Sequence, residues 1–316
     1  MDKDYSYRSP LVYQRADPWV LYHEGYYYFT GSIPQYDCIE IRRAKSLNGL
    51  MCANGKVVWR KHKSGDMGAH IWAPEIHFIN GKWYIYFTAA PAESIWDIRP
   101  RLLECSGGDP MRDEWVEKGR IMLPEDSFSL DMTTFMHKGE QYCAWAQKCE
   151  KYNGDSVVYL ARMKDPQTLA TEPMLLTRPE YDWECQGFRV NEGPAFLKHG
   201  DKLIITYSAS DTGWRYCMGM MWAYDDADIL DPNSWHKSKE PVFKTSEKNS
   251  QYGPGHNCFT VDGDRDVLVY HCRNYKEIEG DPLYDPNRHA RAKVFEYDEN
   301  GLPVFGEPVA DTETDE

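Results

Sequence analysis

Three carboxylates stand at one repeated place in the chain. Asp17, Asp131 and Glu192 each lie eight residues before a glycine, at Gly25, Gly139 and Gly200, that closes a strand-turn-strand pattern. Two more turns of this kind occur at Gly81 and Gly263, preceded by Glu75 at six residues and His256 at seven. Singly, these residues are ordinary. Asp17 before Pro and Glu192 before Gly-Pro are turn formers, and Asp131 before Met-Thr-Thr suits an Asx turn. Together at one point they would be costly, because burial and like charge raise carboxyl pKa values. Such a cluster is kept where a protonated acid must work beside an ionised base. Glycoside hydrolysis uses that pair: one carboxylic acid protonates the leaving oxygen while one carboxylate activates water or attacks carbon.

The elements that would gather them are legible from the turns. The glycines of YHEGYYYF, FINGKWYIYF, MHKGEQYCAW, KHGDKLIITY and TVDGDRDVLVY are separated by 56, 58, 61 and 63 residues. A short apolar strand precedes each turn and a strand rich in Tyr, Trp, Ile or Val follows it, a hairpin signature. Further strand-like runs come next, DCIEIRRA, RPRLLECS, SVVYLARM, YCMGMMWAY and ARAKVFEYD, giving three or four strands per unit. Five units of about 60 residues suit radial repetition. The chain is expected to be all-β, a five-bladed β-propeller of four-stranded antiparallel blades; a Greek-key sandwich would show closer strand spacing and no repeat this long. Each hairpin's first strand would then be innermost, and the entrances RADPW, WAPEI, SLDMT, NEGPA and GPGHN would converge on the axis.

Composition narrows the partners. A net charge of -14 without any Lys/Arg block excludes nucleic acid as an expected ligand. No apolar stretch approaches 20 residues and the N-terminus lacks the pattern of a secretory leader, so no membrane span is expected. Nine cysteines, an odd number without CxxC spacing and often inside apolar runs such as YCAW and VYHCR, read as buried free thiols. That favours a reducing, cytoplasmic location, or secretion if a leader has been removed. A structural zinc is not expected.

Taken in order, ADPWV at 16–20, IWAPEIHFINGKWYIYFTA at 71–89, SLDMTTF at 129–135, NEGPAF at 191–196 and GPGHN at 253–257 resemble glycoside hydrolase family 43. The resemblance implies a five-bladed propeller and an inverting mechanism, with Asp17 as general base, Glu192 as general acid and Asp131 as the carboxylate that orients Glu192 and tunes its pKa. It offers two readings of His256: contact with a central Ca²⁺ or Na⁺ or its waters, or a satisfied histidine fixing the neighbouring acid. No cofactor is required for the chemistry. Trp72, Trp19, Glu75, Arg273 and Arg291 are the candidate substrate-binding residues, with Arg273 ranked above Arg291. The long loops from Pro91 to Pro100 and from Asn274 to Arg288 are expected to shape the rim.

The wording FTAAPAES and WECQGFRVNEGP is similar to that of exo-acting α-L-arabinofuranosidases of the family, which implies a plant cell-wall pentose oligosaccharide or polysaccharide as partner. The family alternatives are a β-xylosidase or an endo-arabinanase. A single catalytic domain over 1–316 without a C-terminal β-sandwich is expected, which speaks against the β-xylosidases. A propeller that binds sugar without cutting it is the alternative of another class.

Overall fold

The computed structural model describes residues 6–312. Four blades are complete four-position sheets. Blade 1 runs Ala16–His23, Tyr26–Ser32, Cys38–Ala44 and Lys56–Arg60; blade 2 runs Ala69–Ile79, Lys82–Ala90, Arg99–Cys105 and Val116–Arg120. In blade 3, Ser129–His137, Glu140–Cys149 and Asp155–Asp165 are edged by Thr168–Leu169 and Met174–Thr177. Blade 4 comprises Asn191–His199, Lys202–Ala209, Cys217–Tyr224 and His236–Lys237. Blade 5 has Tyr252–Asp262, Arg265–Arg273 and His289–Val294, and its outer position is taken by the N-terminal segment, where Val12 bridges Ala290. The start of the chain thus closes the ring onto its last blade through hydrogen bonds from Leu11 N to Ala290 O (2.8 Å) and from Ala290 N to Val12 O (2.9 Å).

All pairings within the blades are antiparallel, and the first strand of each blade meets the first strands of its neighbours around the axis. Among the described residues no helix is long and apolar enough to cross a membrane. The turn at Asn80-Gly81 shows why the hairpins are short: both residues are left-handed (φ 50° and 81°), as a two-residue type I′ turn requires.

The core explains the near-continuous apolar second strands. Side chains alternate faces along a strand, and here both faces of each middle strand meet another blade. In blade 2, Trp83, Ile85 and Phe87 pack with Tyr28, Ile39 and Ile41 of blade 1, while Tyr84 and Tyr86 pack with Trp145 and Met163 of blade 3. In blade 4, Leu203, Ile205 and Tyr207 join Phe135, Val158 and Leu160, while Ile204 joins Leu268 and Tyr270 of blade 5. A last cluster of Val20, Phe29, Val267, Val269, Leu11 and Val12 seals blade 5 to blade 1. Five interblade cores therefore hold the inner strands at fixed angles around the axis. Truncating one of their large aromatics costs about 3–5 kcal/mol.

Candidate active site

Each inner strand is broken near its start, and those of blades 2 and 5 twice. The ladder register slips between Ala16 and Trp19, Trp72 and Glu75, Glu192 and Ala195, and Gly255 and Cys258, and in blade 3 opposite Ala144–Ala146. One residue at each slip is left-handed: Asp17 (φ 50°), Ala73 (44°), Asp131 (55°), Gly193 (53°) and His256 (42°). Such bulges re-aim a side chain at the cost of local strain. Blade 2 spends its bulge on Ala73, so Glu75 sits two residues farther along, buried and bonded to His77 Nε2 at 3.0 Å.

The bulge also frees a backbone N–H, and the preceding blade's second strand receives it. Ala73 N donates to Ser32 Oγ (2.8 Å), Asp131 N to Thr88 Oγ1 (3.3 Å), His256 N to Ser208 Oγ (2.7 Å) and Asp17 N to His271 Nδ1 (3.0 Å). Ser32 and Thr88 each lie seven residues after their hairpin glycine, and the same count from Gly139 reaches Ala146, which has no hydroxyl. Gly193 N donates instead to Asp131 Oδ2 at 3.0 Å. The carboxylate of blade 3 is thus tied to the peptide that follows Glu192. Glycine suits 193, where φ is 53° and a Cβ would lie 3.1 Å from the His256 ring.

Asp17, Asp131, Glu192 and His256 line one cavity of about 540 Å³. Its floor is buried, with Asp131 4% and Arg288 5% exposed, and its rim is open, with Trp96 53% and Phe188 66% exposed. Trp72, Phe128, Leu130 and Leu283 add apolar wall, and Lys148 and Arg189 add positive charge. Trp96 comes from the 91–100 loop and Leu283 and Arg288 from the 274–288 loop, so both long loops shape this rim.

The three carboxyls differ in their surroundings. Asp17 Oδ2 accepts from Ser32 Oγ at 2.6 Å, and its Oδ1 lies 3.3 Å from His256 Nδ1, 3.4 Å from His271 Nδ1 and 3.6 Å from an Arg288 nitrogen. Burial alone would raise its pKa, but these neighbours win and hold Asp17 well below the usual carboxylate range. Arg288 is the permanent charge among them. His271 accepts the Asp17 N–H at Nδ1, so that nitrogen carries no proton, and burial lowers the pKa of both histidines. Glu192 goes the other way. Burial, with the charge of Asp17, pushes it up to about 7, against the Tyr216 hydroxyl, which donates to its Oε1 at 2.8 Å, and Arg288. Asp131 is also pushed up, by burial and then by the charges of Glu192 and Asp17. With Asp17 ionised, the Asp131–Glu192 pair therefore keeps a proton near neutral pH.

Of the residues singled out as sugar contacts, Trp72 lines the cavity, its ring stacked on His70 at 4.3 Å. The others lie elsewhere. Trp19 is packed between blades 1 and 2, its Nε1 donating to Ile76 O at 2.8 Å. Arg273 is buried and staples the rim loops through Asp285 Oδ1 (2.9 Å), Thr212 O (2.8 Å) and Pro282 O (2.6 Å). Arg291, wholly buried, holds Asp311 and the carbonyls of Cys272 and His289. Neither arginine lines the cavity, whereas Arg288 does. Arg288, Tyr216, His271 and Ser32 were not distinguished by sequence; the pairing of Ser32 with Thr88, seven residues after successive hairpin glycines, was the available signal.

The groups on the axis are paired with one another. His256 turns Nδ1 towards Asp17 and, at 3.9 Å, towards Asp131. Arg288 already supplies positive charge there, and among the described residues no group of three or more His, Cys, Asp or Glu side chains is arranged to hold an ion. An ion held by three or more such side chains does not fit there.

A profile of the family described as glycosyl hydrolases family 43 matches residues 7–303. The chain belongs to glycoside hydrolase family 43. It is 50% identical over 309 residues to a Streptomyces avermitilis protein named extracellular exo-α-(1→5)-L-arabinofuranosidase, covering 97% of this chain and 64% of that one. A Streptomyces chartreusis protein of the same name is 52% identical over 279 residues, covering 87% and 85%. The crystal structure of an α-L-arabinofuranosidase from Lactobacillus brevis superposes with a TM-score of 0.94 at 51% identity, covering 98% of each chain. This family 43 chain thus spans slightly less than two thirds of the S. avermitilis relative.

These names correct the expectation of a cytoplasmic location. Both Streptomyces relatives are named extracellular, which points to secretion. The inference from cysteines was too strong because seven of the nine free thiols are buried, and buried thiols are shielded from oxidants in any compartment.

Proposed function

We propose that this family 43 chain is an inverting exo-α-L-arabinofuranosidase that releases L-arabinofuranose from the ends of arabinan, arabino-oligosaccharides or arabinoxylan. The observation that carries the reading is the opposed tuning of Asp17 and Glu192 in one cavity: Asp17 is held ionised, and Glu192 is held protonated to about pH 7.

In this mechanism a terminal sugar enters over Trp72 with its anomeric carbon between the two carboxyls. Asp17 takes a proton from a water that attacks that carbon. Glu192 gives its proton to the departing glycosidic oxygen in the same step. One C–O bond forms as the other breaks, and the configuration inverts. Inverting carboxyls sit roughly 6.5–9.5 Å apart to admit the water. Ser32 and Arg288 orient Asp17 and keep it charged. Asp131, bonded to Gly193 N, fixes the peptide that presents Glu192 and receives sugar hydroxyls. The buried floor and exposed rim suit a chain end better than a chain interior, and the aromatic rim suits the flat apolar faces of the sugars that follow.

Turnover of 4-nitrophenyl α-L-arabinofuranoside and products from linear α-1,5-arabinan test the reading. Release of free arabinose as the first product supports it. Release of longer oligosaccharides from the outset would assign an endo-acting enzyme, and binding without release of any pentose would assign a sugar-binding propeller.

A further inference from the structure

Tyr216 has no part in bond making, yet the chain is built around its ring. It is 1% exposed, and its hydroxyl donates to Glu192 Oε1 at 2.8 Å. The ring lies parallel to His271, with centroids 5.7 Å apart and planes 4° apart, and His271 Nδ1 receives the Asp17 N–H at 3.0 Å. Gly255 makes the room: a Cβ there would fall 2.5 Å from Tyr216 Cε1. One rigid stack therefore runs from the backbone of Asp17 through His271 and Tyr216 to the carboxyl of Glu192, linking blades 1, 5 and 4.

We infer that Tyr216 is a positioning residue which, braced on His271, fixes the carboxyl of Glu192 relative to Asp17. The inference rests on the reading of Glu192 as general acid. A buried aromatic could serve as filler alone, but filler needs no hydroxyl, and the polar end of this ring meets the one carboxyl that must hold a set direction. Burial and the charges of Glu192, Asp131 and Asp17 push the Tyr216 pKa far up, so its hydroxyl remains a donor throughout the working range. A donor of this kind favours the carboxylate form of Glu192. Tyr216 thus opposes the burial and the Asp17 charge that raise that group, in concert with Arg288. The other charged or titratable groups close to Glu192 are Asp131, bonded to the next peptide, and His256, packed against Gly193.

The test is Tyr216→Phe, which keeps the ring and its stack. The high-pH limb of kcat/KM, where activity is lost as Glu192 deprotonates, should move up by about one unit, given what a hydrogen bond to a charged group contributes. kcat on an arabino-oligosaccharide should fall roughly tenfold, and less on an aryl arabinofuranoside whose leaving group needs little protonation. Gly255→Ala, which displaces the ring, should move the limb the same way. An unmoved limb with unchanged kcat in Tyr216→Phe would overturn the inference, as would a loss of kcat equal on both substrates with the limb in place. Side-chain ¹³C titration of Glu192 in the wild type and in Tyr216→Phe reads the same shift without turnover. Absence of wild-type hydrolysis would thus refute the proposed activity, while an unshifted Glu192 titration would refute the role of Tyr216.

Discussion

Glu192→Gln separates the energetic cost of the site from its chemistry. In the folded protein Glu192 titrates at about 7 instead of its ordinary 4.5. A raised carboxyl pKa means that the folded state binds more protons than the unfolded state between those values, so stability falls as pH rises from about 4.5 to about 7 and stays lower above. The difference of 7 − 4.5 = 2.5 units, at about 1.4 kcal/mol per unit, corresponds to at most about 3.5 kcal/mol. Glu192 lines an open cavity, and solvent screening brings the expected figure to about 1–2 kcal/mol. Glutamine carries no charge at any pH and keeps the shape. Removing the Glu192 charge also eases ionisation of Asp131, which acts in the same direction. Urea unfolding followed by tryptophan fluorescence, at about pH 4.5 and about pH 8, gives the difference between variant and wild type at each pH. The variant should gain about 1–2 kcal/mol relative to wild type on going to the higher pH, a few degrees in Tm. An equal difference at both pH values would refute the claim that Glu192 is held protonated by the fold.

Glu192→Ala should lose about 10²–10⁴-fold in kcat/KM on arabino-oligosaccharides and much less on aryl arabinofuranosides with good leaving groups; steady-state kinetics on both substrates checks this, and equal losses would contradict the role of acid. Ala146→Ser places a hydroxyl at the position held by Ser32 and Thr88 in the preceding blades, where it competes with Asp131 for the Gly193 N–H. It should fold normally by circular dichroism and lose roughly tenfold in kcat, about the worth of one charge-assisted hydrogen bond.

The architecture was legible because hairpin turns and strand periodicity are local properties. Gly25, Gly81, Gly139, Gly200 and Gly263 mark turns whose chemistry does not depend on the rest of the chain, and their regular spacing implied the ring. The third strands were legible for the same reason. The outer position of blade 5 was not, because Leu11 and Val12 reach Ala290 through a contact nearly the whole chain long, with no pattern of its own. Within the site, Asp17, Asp131 and Glu192 could be aligned because each stands eight residues before its hairpin glycine, at or just before the left-handed residue of its bulge. Glu75, six residues before its glycine, was grouped with them and proved offset, since its blade bulges at Ala73. The arginines show the limit of such reasoning. Arg273, Arg288 and Arg291 are all buried in blade 5 or at its entrance, and only the path of the 274–288 loop decides that Arg288 faces Asp17 while the other two bind rim loops and backbone. Tyr216 and His271 escaped notice because their significance lies in whom they touch across blades.

The stereochemistry of the first product tests the central claim most directly. Proton NMR of an α-linked arabino-oligosaccharide, recorded in the first moments after adding the protein, reads the anomer released before mutarotation. A single displacement by water, activated by Asp17 and assisted by Glu192, should deliver β-L-arabinofuranose first, with the α anomer appearing only later. Initial release of the α anomer would mean two displacements through a covalent intermediate, and would contradict the assignment of Asp17 as base.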